Sequence, residues 1–459
     1  MQQDPLIAKA LKSELQDQSL WKTRIVVLVF GAFSGLTVVA LTWLGERASN
    51  LFEHARAMAF WLPLLWTPAW TALIVWMTRR WAPGAAGSGI PQVMAALHPG
   101  VTGTPWKSLY VSFRLSVAKI ALTALGLLGG LSQGREGPSV QIGAGIMHSA
   151  RHWLPPKAAV SPHGLLIAGG AAGIAAAFNT PLGGIMFAIE ELSRRPEQRN
   201  NGLLMAAIIL AGIMGISAYG NATYFGIIRV AAVGWSLWWP AVLVAVVCGL
   251  AGGLFSRLLI RSLSEHSPDR LTQLRQQYPI RFAAACGLAV AVMGLVSDGA
   301  VFGSGYAYNR ALLEGGTDTN PLYALLKFLA TWLTAWSGAP GGIFAPALSI
   351  GGALGHDIAL LTGHVDTPTL IALGMAAFLS AVTQAPMTSF IIVMEMVDGH
   401  SLVLSLMACS LLASGVSRLI SRPLYPGLAE LQLRRLPTPV EPTALHGFTQ
   451  EPNHQGRSS

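Results

Sequence analysis

What most constrains this chain is a series of apolar runs about as long as a bilayer is thick. Residues 25–44 and 58–78 each supply roughly twenty residues, enough for one helical crossing. Further apolar blocks lie near 108–131, 164–192, 202–219, 231–255, 282–297, 322–337, 343–362, 369–397 and 402–420. Charged residues are only 11% of the 459, against about 25% in soluble domains, so little of the surface is meant for water. Backbone polar groups in hydrocarbon must find partners within the chain, so repeated apolar runs of this length predict an all-α polytopic membrane protein. The first block is too long, and too far into the chain, for a secretory signal. Residues 1–24 read as an amphipathic helix on the membrane surface, with Asp4-Pro5 as a start signal and Ile7, Leu11 and Leu15 at helical spacing; the alternative is a solvated tail.

The net charge of +9 is informative through its placement. Basic residues collect before the first span (Lys9, Lys12, Lys22, Arg24), after the second (Arg79, Arg80), at 194–199, through 257–281 and at 418–435. Two crossings separate the first two clusters, so they share a side, and the positive-inside rule makes that side the cytoplasm. Both termini are then expected to be cytoplasmic, in the inner membrane of a bacterium. No continuous basic surface interleaved with aromatics is present, which argues against a nucleic-acid partner. Cys248, Cys286 and Cys409 sit inside apolar blocks and read as buried free thiols.

The chain is also written twice. "GREGPSVQIGA" at 134–144 aligns with "GIFAPALSIGG" at 342–352, and at the same offset Lys119 aligns with Lys327. "AAGIAAAFNTPLGGIMFAIEEL" at 171–192 aligns with "AAFLSAVTQAPMTSFIIVMEMV" at 376–397, matching Pro181 to Pro386 and Glu190 to Glu395. Gly87-Ser88-Gly89 has a looser echo in Gly303-Ser304-Gly305. A duplicated membrane protein with broken helices in both halves is the plan of a secondary transporter, or of a channel built on that scaffold. Helices that break at mid-membrane favour inverted over parallel repeats.

Three segments carry the chemistry: Gly87-Ser88-Gly89-Ile90-Pro91, Gly134-Arg135-Glu136-Gly137-Pro138 and Gly342-Ile343-Phe344-Ala345-Pro346. Each places Gly at a tight turn and Pro near a first helical turn, where its missing N–H does no harm. A helix that starts inside the membrane presents unpaired N–H groups and the positive end of its dipole, which suits an anion. Ser88 can donate to that anion without adding charge, so a dehydrated halide can also leave; its bland alternative is a helix cap. Ile343 and Phe344 offer only backbone N–H groups. Glu136 can fill the anion position itself and vacate it on protonation; its bland alternative is an ion pair with Arg135, which the roughly 100° between adjacent helical positions disfavours. Glu190-Glu191 closes a helix, with one carboxylate able to face inward and the other the rim; from the residues alone an ordinary solvated helix end is the preferred reading. Lys119 and Lys327 must snorkel, pair with a carboxylate or bind carbonyls, and are expected to be structural.

These motifs, in this order, with "FNTPLGGIMFAIEE" and a late Tyr425 in "SRPLYPG", resemble the CLC family of chloride channels and proton-coupled chloride antiporters from about residue 25 to 430. The resemblance implies a homodimer of all-helical subunits, each an inverted-repeat CLC fold with broken helices meeting at mid-membrane. The expected repeats are about 25–220 and 228–430, followed by a polar cytoplasmic tail at 431–459 that is too short for the paired CBS domains of many eukaryotic members. It implies a central chloride, bound as substrate with no cofactor and no metal, held by the hydroxyls of Ser88 and Tyr425 and the N–H groups of Ile343 and Phe344. It makes Glu136 the external gate and Glu191 the internal proton-transfer residue. With both glutamates and the serine present, a chloride/proton antiporter is favoured over a passive channel of the same fold. Gln92 and Met94 stand where some exchangers carry acidic residues, which leaves the partner of Lys119 open. An intramembrane serine hydrolase using Ser88 with His148 or His163 lacks a placed base and an oxyanion hole, so no enzymatic activity is expected.

Overall fold

The computed structural model describes residues 17–436, apart from 102–103, 157, 159, 194–200, 221–224, 226–236, 265–268, 317–319, 364–365 and 398. The first half of the described chain contains α1 (Gln18–Met58), α2 (Pro63–Trp81), α3 (Ile90–Leu97), α4 (Lys107–Tyr110), α5 (Phe113–Leu128), α6 (Glu136–Ser149), α7 (Pro162–Phe178), α8 (Pro181–Phe187) and α9 (Asn201–Tyr219). The second contains α10 (Trp238–Leu263), α11 (Arg270–Gln277), α12 (Pro279–Val296), α13 (Tyr306–Leu313), α14 (Tyr323–Ser337), α15 (Phe344–Thr362), α16 (Thr367–Thr383), α17 (Pro386–Met396), α18 (Val403–Arg418) and α19 (Leu424–Arg434). Six helical segments among the described residues are long and apolar enough to cross a membrane, and several shorter apolar helices lie between them. The chain is an integral, multi-pass helical membrane protein.

Two sequence expectations are corrected in detail. Asp17 accepts from the N–H groups of Ser19 and Leu20 at 2.9 and 3.3 Å, so the first helix starts at Gln18 and runs unbroken through Arg24 into the span. Residues 18–24 are therefore the first turns of α1, and the remainder of the expected surface helix, 1–16, lies outside the described residues. The apolar blocks at 164–192 and 369–397 each contain two helices, in keeping with the broken helices expected in both halves. Asn179 (φ 58°) and Gln384 (φ 57°) adopt the left-handed conformation that ends α7 and α16, and Pro181 and Pro386 then open α8 and α17. Helix α19 runs on to Arg434, a few residues into the expected tail. The basic loop at 194–199, most of the tail and the junction between the expected repeats lie outside the described residues.

The two halves repeat the same packing with opposite sense. Helix α6 crosses α7 and α15 crosses α16 through bare glycine. A Cβ on Gly143 would lie 2.2 Å from the carbonyl oxygen of Gly169, and one on Gly351 would lie 2.2 Å from that of Gly374. The halves meet where the N–H groups of Gly134 and Gly342 each donate to the other's carbonyl, at 2.7 and 2.8 Å, in an isolated antiparallel bridge. A reciprocal exchange of this kind is what a two-fold relation between inverted repeats requires.

A second join uses side chains. Glu190, just beyond α8, accepts from the Met387 and Thr388 N–H groups at the start of α17, at 3.1 and 2.6 Å. Glu395 on α17 accepts from the Leu182 and Gly183 N–H groups at the start of α8, at 3.2 and 2.8 Å. Neither helix start has a cap from its own preceding residue. Each half thus caps a helix of the other, and the carboxylates complement the helix dipoles.

The glycine crossing generates a stability prediction. Gly143→Leu forces a side chain into a backbone carbonyl and should cost at least about 2 kcal/mol, the overpacking range. It should lower the thermal unfolding midpoint in detergent, whereas Gly415→Ala, whose Cβ meets open space, should leave it unchanged.

Candidate functional site

The helix starts that the sequence singled out converge. Helix α3 begins after Gly89, whose φ of 109° is one that only glycine adopts easily. A Cβ there would lie 2.7 Å from the Gly137 carbonyl, so the starts of α3 and α6 touch. A Cβ on Gly137 would in turn lie 2.3 Å from the Ser88 hydroxyl oxygen. The Gly341 N–H donates to the Gly87 carbonyl at 3.2 Å, which brings the start of α15 to the same place. The fourth helix start is that of α19, which carries Tyr425 in its first turn. It was reached from sequence only through the family resemblance, because "SRPLYPG" is short and carries no apolar run.

Ser88, Glu136, Glu191, Ile343, Phe344 and Tyr425 are all buried, Glu136 and Tyr425 at 0% exposure. The Tyr425 ring ends beside the Ser88 hydroxyl and within electrostatic range of both Glu136 and Glu191. The structure thus brings Ser88, Glu136 and Tyr425 together, with Glu191 in electrostatic range of the tyrosine and the start of the Ile343–Phe344 helix tied to the serine loop. Neither the Ser88 nor the Tyr425 hydroxyl completes a hydrogen bond among the described residues. Ser88 is not a cap: the residue before α3 is Gly89, whose N–H is met by the Gln92 side chain at 2.9 Å. The two buried hydroxyls have at most each other as partners, a costly arrangement that a small anion accepting from both would relieve. Phe344 packs on Phe178 with ring centroids 5.4 Å apart, giving the pocket an apolar wall.

The Glu136 carboxylate faces the N–H groups of Arg135, Glu136 and Ala345, so it lies over the starts of both α6 and α15. Neither of its oxygens completes a well-formed hydrogen bond among the described residues. Arg135 does not neutralise it by an ion pair. Its guanidinium turns away to the Glu46 carboxylate and the Thr42 carbonyl, each at 3.2 Å. Beside Arg135 a cavity of about 690 Å³ opens, lined in part by Glu46, Asn179, Ser304 and Arg310.

The serine loop is held from behind. Lys119, fully buried, donates through Nζ to the Ala85 and Gly87 carbonyls at 2.7 and 2.6 Å, which answers the question of its partner. Gln141 Nε2 donates to Gly84 and Tyr110 carbonyls at 2.9 and 2.8 Å. In the other half Lys327 donates to the Val301 and Gly303 carbonyls, both at 2.8 Å. Ser349, which aligns with Gln141, reaches the Gly305 carbonyl at 3.3 Å. These supports were invisible in sequence because their acceptors are backbone atoms; only the matched positions of the two lysines hinted at them.

His148 ends α6, eleven residues from Gly137 and so about 17 Å along the helix from the Ser88 pocket. It cannot act as a base for Ser88. Among the described residues no three His, Cys, Asp or Glu side chains group as metal ligands.

Converging helix starts, uncharged hydroxyl donors and a buried carboxylate within an inverted repeat define a membrane transport protein with an anion pathway. The family profile described as voltage gated chloride channel matches residues 70–418. This chain belongs to that family, the CLC proteins, and is not an enzyme. It is similar to the H(+)/Cl(-) exchange transporter ClcA of Citrobacter koseri, at 30% identity over 429 residues and 88% of each chain. The protein of the same name from Salmonella typhi is 29% identical over 432 residues, also covering 88% of each chain. Among solved structures, a slow cyanobacterial Cl-/H+ antiporter is similar with a TM-score of 0.75 and 25% identity, covering 91% of this chain and 98% of that one. A CLC-type fluoride/proton antiporter shares the fold with a TM-score of 0.71 and 21% identity, over 89% of this chain and 98% of its own.

The lysine contacts yield a prediction. Lys119→Met leaves two buried carbonyls without a donor, at roughly 1–3 kcal/mol each, offset in part because no ammonium need be buried. A net loss of about 2 kcal/mol is expected, read as a lower unfolding midpoint of the purified protein; an unchanged midpoint means the serine loop is held without it.

Proposed function

We propose that the chain is an antiporter that exchanges chloride for protons, with Glu136 as external gate and proton acceptor. The observation that carries this is the position of the Glu136 carboxylate, buried over the N–H groups of Arg135, Glu136 and Ala345 and in reach of Tyr425. Ionised, it serves those helix starts as a chloride ion would. Protonated, it loses the charge that holds it there, and an anion can take its place. One side chain thereby makes chloride and proton occupancy depend on each other, which is the minimum an exchanger needs. The names of the similar exchange transporters support the coupling.

Chloride itself would be held by the Ser88 and Tyr425 hydroxyls and the N–H groups of Ile343 and Phe344. All four donors are uncharged, so the ion is stabilised without being trapped. Gly87, Gly89, Ile90, Pro91, Gly134, Arg135, Gly137, Pro138, Gly342, Ala345 and Pro346 would form the backbone turns of the filter. Glu191, 3% exposed and also within electrostatic reach of Tyr425, would pass protons to the inner solution. Glu190 is less suited to that task, since both its oxygens are engaged at the start of α17. No cofactor is invoked, with chloride bound only as substrate, and no nucleic-acid partner is proposed.

The transport domain is proposed to span 25–430, as repeats of about 25–220 and 228–430, in a bacterial inner membrane with both termini cytoplasmic. A homodimer is also proposed. Leu182, Ile189 and Met387, exposed at 52, 50 and 38%, surround the two half-buried carboxylate caps. Carboxylates so near lipid are costly, and a second subunit would cover them.

Two liposome experiments test the mechanism. Glu136→Ala should keep chloride flux, lose the rise in flux with falling pH, and no longer drive protons uphill when a chloride gradient is imposed. Proton pumping by that variant would remove Glu136 from the cycle. Glu191→Ala should cut proton movement by at least about tenfold, in line with loss of a positioned acid–base group, while chloride still passes. Unaltered coupling there would assign the inner step elsewhere. Currents indifferent to a pH gradient in the unmodified protein would mark a passive channel.

A further inference from the structure

Helix α10 carries a change of character along one face. Leu250, Leu254, Arg257 and Arg261 are spaced by four, three and four residues, so they share a stripe. Leu250 and Leu254 are 51 and 47% exposed, and both arginines are exposed. The opposite end of the helix shows the exposed indoles of Trp238 and Trp239. From Trp238 to Arg257 is nineteen residues, about 29 Å of helix, close to the roughly 30 Å of a bilayer's hydrocarbon. Indoles mark one interface, and the arginines lie at headgroup depth on the other, the basic and hence cytoplasmic side.

At that depth there is a cleft of about 470 Å³ between α10, the end of α18 and α19. Four arginines line it: Arg257, Arg261, Arg422 and Arg434. Arg261 meets Asp269 at 3.4 Å and Arg422 meets Glu430 at 3.1 Å. Arg257 and Arg434 have no ionic partner among the described residues. The rest of the lining includes Ile260, Ile420 and Leu431, and Leu419 beside it is 88% exposed. A solvated basic rim, the ordinary outcome of the positive-inside rule, needs neither a cleft nor an apolar lining. A soluble anion would use the arginines but not the isoleucines. A ligand with a phosphate beside acyl chains uses both.

We propose that this cleft binds the phosphate headgroup of an anionic phospholipid from the cytoplasmic leaflet, with Arg257 and Arg434 meeting the phosphate and an acyl chain lying along Leu250 and Leu254. The site bears on transport through α19. Arg434 ends the helix that begins beside Tyr425, and Gly427 brings α19 so close to Ile260 on α10 that an added Cβ would lie 2.9 Å from it. A bound headgroup joins α10 to the far end of that helix and fixes the tyrosine. The binding stands on the cleft alone; the effect on flux also rests on the proposed role of Tyr425, and the two are measured separately.

The test uses full-length protein with Arg257→Gln/Arg434→Gln, with Arg434→Lys as the charge-retaining variant and Arg79→Gln as a basic-rim control outside the cleft. Phosphatidylglycerol retained per chain is counted by native mass spectrometry, and the lipid's stabilisation of the folded protein is read from thermal melts. At about 1 kcal/mol per arginine, the double variant should bind phosphatidylglycerol about thirtyfold more weakly, while R434K and R79Q bind as the unmodified protein does. Equal retention by the double variant, or an equal loss in R79Q, overturns the site. Displacement of the lipid by inorganic phosphate at comparable concentration overturns the lipid assignment in favour of a soluble anion. In liposomes, chloride flux of the unmodified protein should change several-fold between pure phosphatidylcholine and an equimolar mixture with phosphatidylglycerol, and that of the double variant should not. Lipid binding without this difference in flux overturns only the link to Tyr425.

Discussion

Everything in this molecule depends on what is done with helix N-termini that begin inside the membrane. Each leaves N–H groups unpaired where no water can reach them, and each carries about half a positive charge. The chain answers in two ways. At α8 and α17 the answer is permanent: Glu395 and Glu190 each take two N–H groups, at 2.6 to 3.2 Å. At α6 and α15 the carboxylate of Glu136 lies over the N–H groups yet completes no well-formed hydrogen bond among the described residues. The same chemistry is a fastener in one place and, on the proposed mechanism, an exchangeable stopper in the other. The difference lies in how well the geometry closes around the carboxylate.

Much of this was legible before any coordinates. The apolar blocks located the membrane helices, and Gly and Pro in the three motifs located their interior starts, because those residues act through local backbone conformation. The repeat was legible because both halves must solve the same packing problem. What could not be read were contacts made with the other half. Glu190 and Glu395 were matched as equivalents, but nothing local says that each reaches across to the other's helix. Lys119 and Lys327 were matched too, and their carbonyl acceptors carry no sequence signature. The breaks at Asn179 and Gln384 carry a local signal: a polar residue two places before a proline inside an apolar run is a stop followed by a start. The early onset of α1 had one as well, in Asp17 as an N-cap.

The buried lysines show how the frame supports the pocket without disturbing it. An ammonium placed directly at the anion position would hold a halide too strongly to release it. Set behind the loop, with its Nζ donating to the Ala85 and Gly87 carbonyls, Lys119 orders the turn that presents Ser88 and leaves the pocket lined by neutral donors. Lys327 does the same for the 301–305 turn on the opposite side. That turn borders the cavity beside Arg135, so the loops at both places rest on the same construction.

The glycine crossings at Gly143 on Gly169 and Gly351 on Gly374 set the mechanical character of the whole. Backbones in direct contact have no flexible side chains between them to absorb sliding or rotation, so each half behaves as a stiff block, and the Gly134–Gly342 bridge ties the blocks together. Rocking of one half against the other, the usual way for a duplicated transporter to expose its cargo to each face in turn, would have to break that bridge. The proposed exchange cycle is then left to torsions about single bonds such as those of Glu136. Its speed should then follow the dehydration of ions and the arrival of protons more than the viscosity of the surrounding lipid.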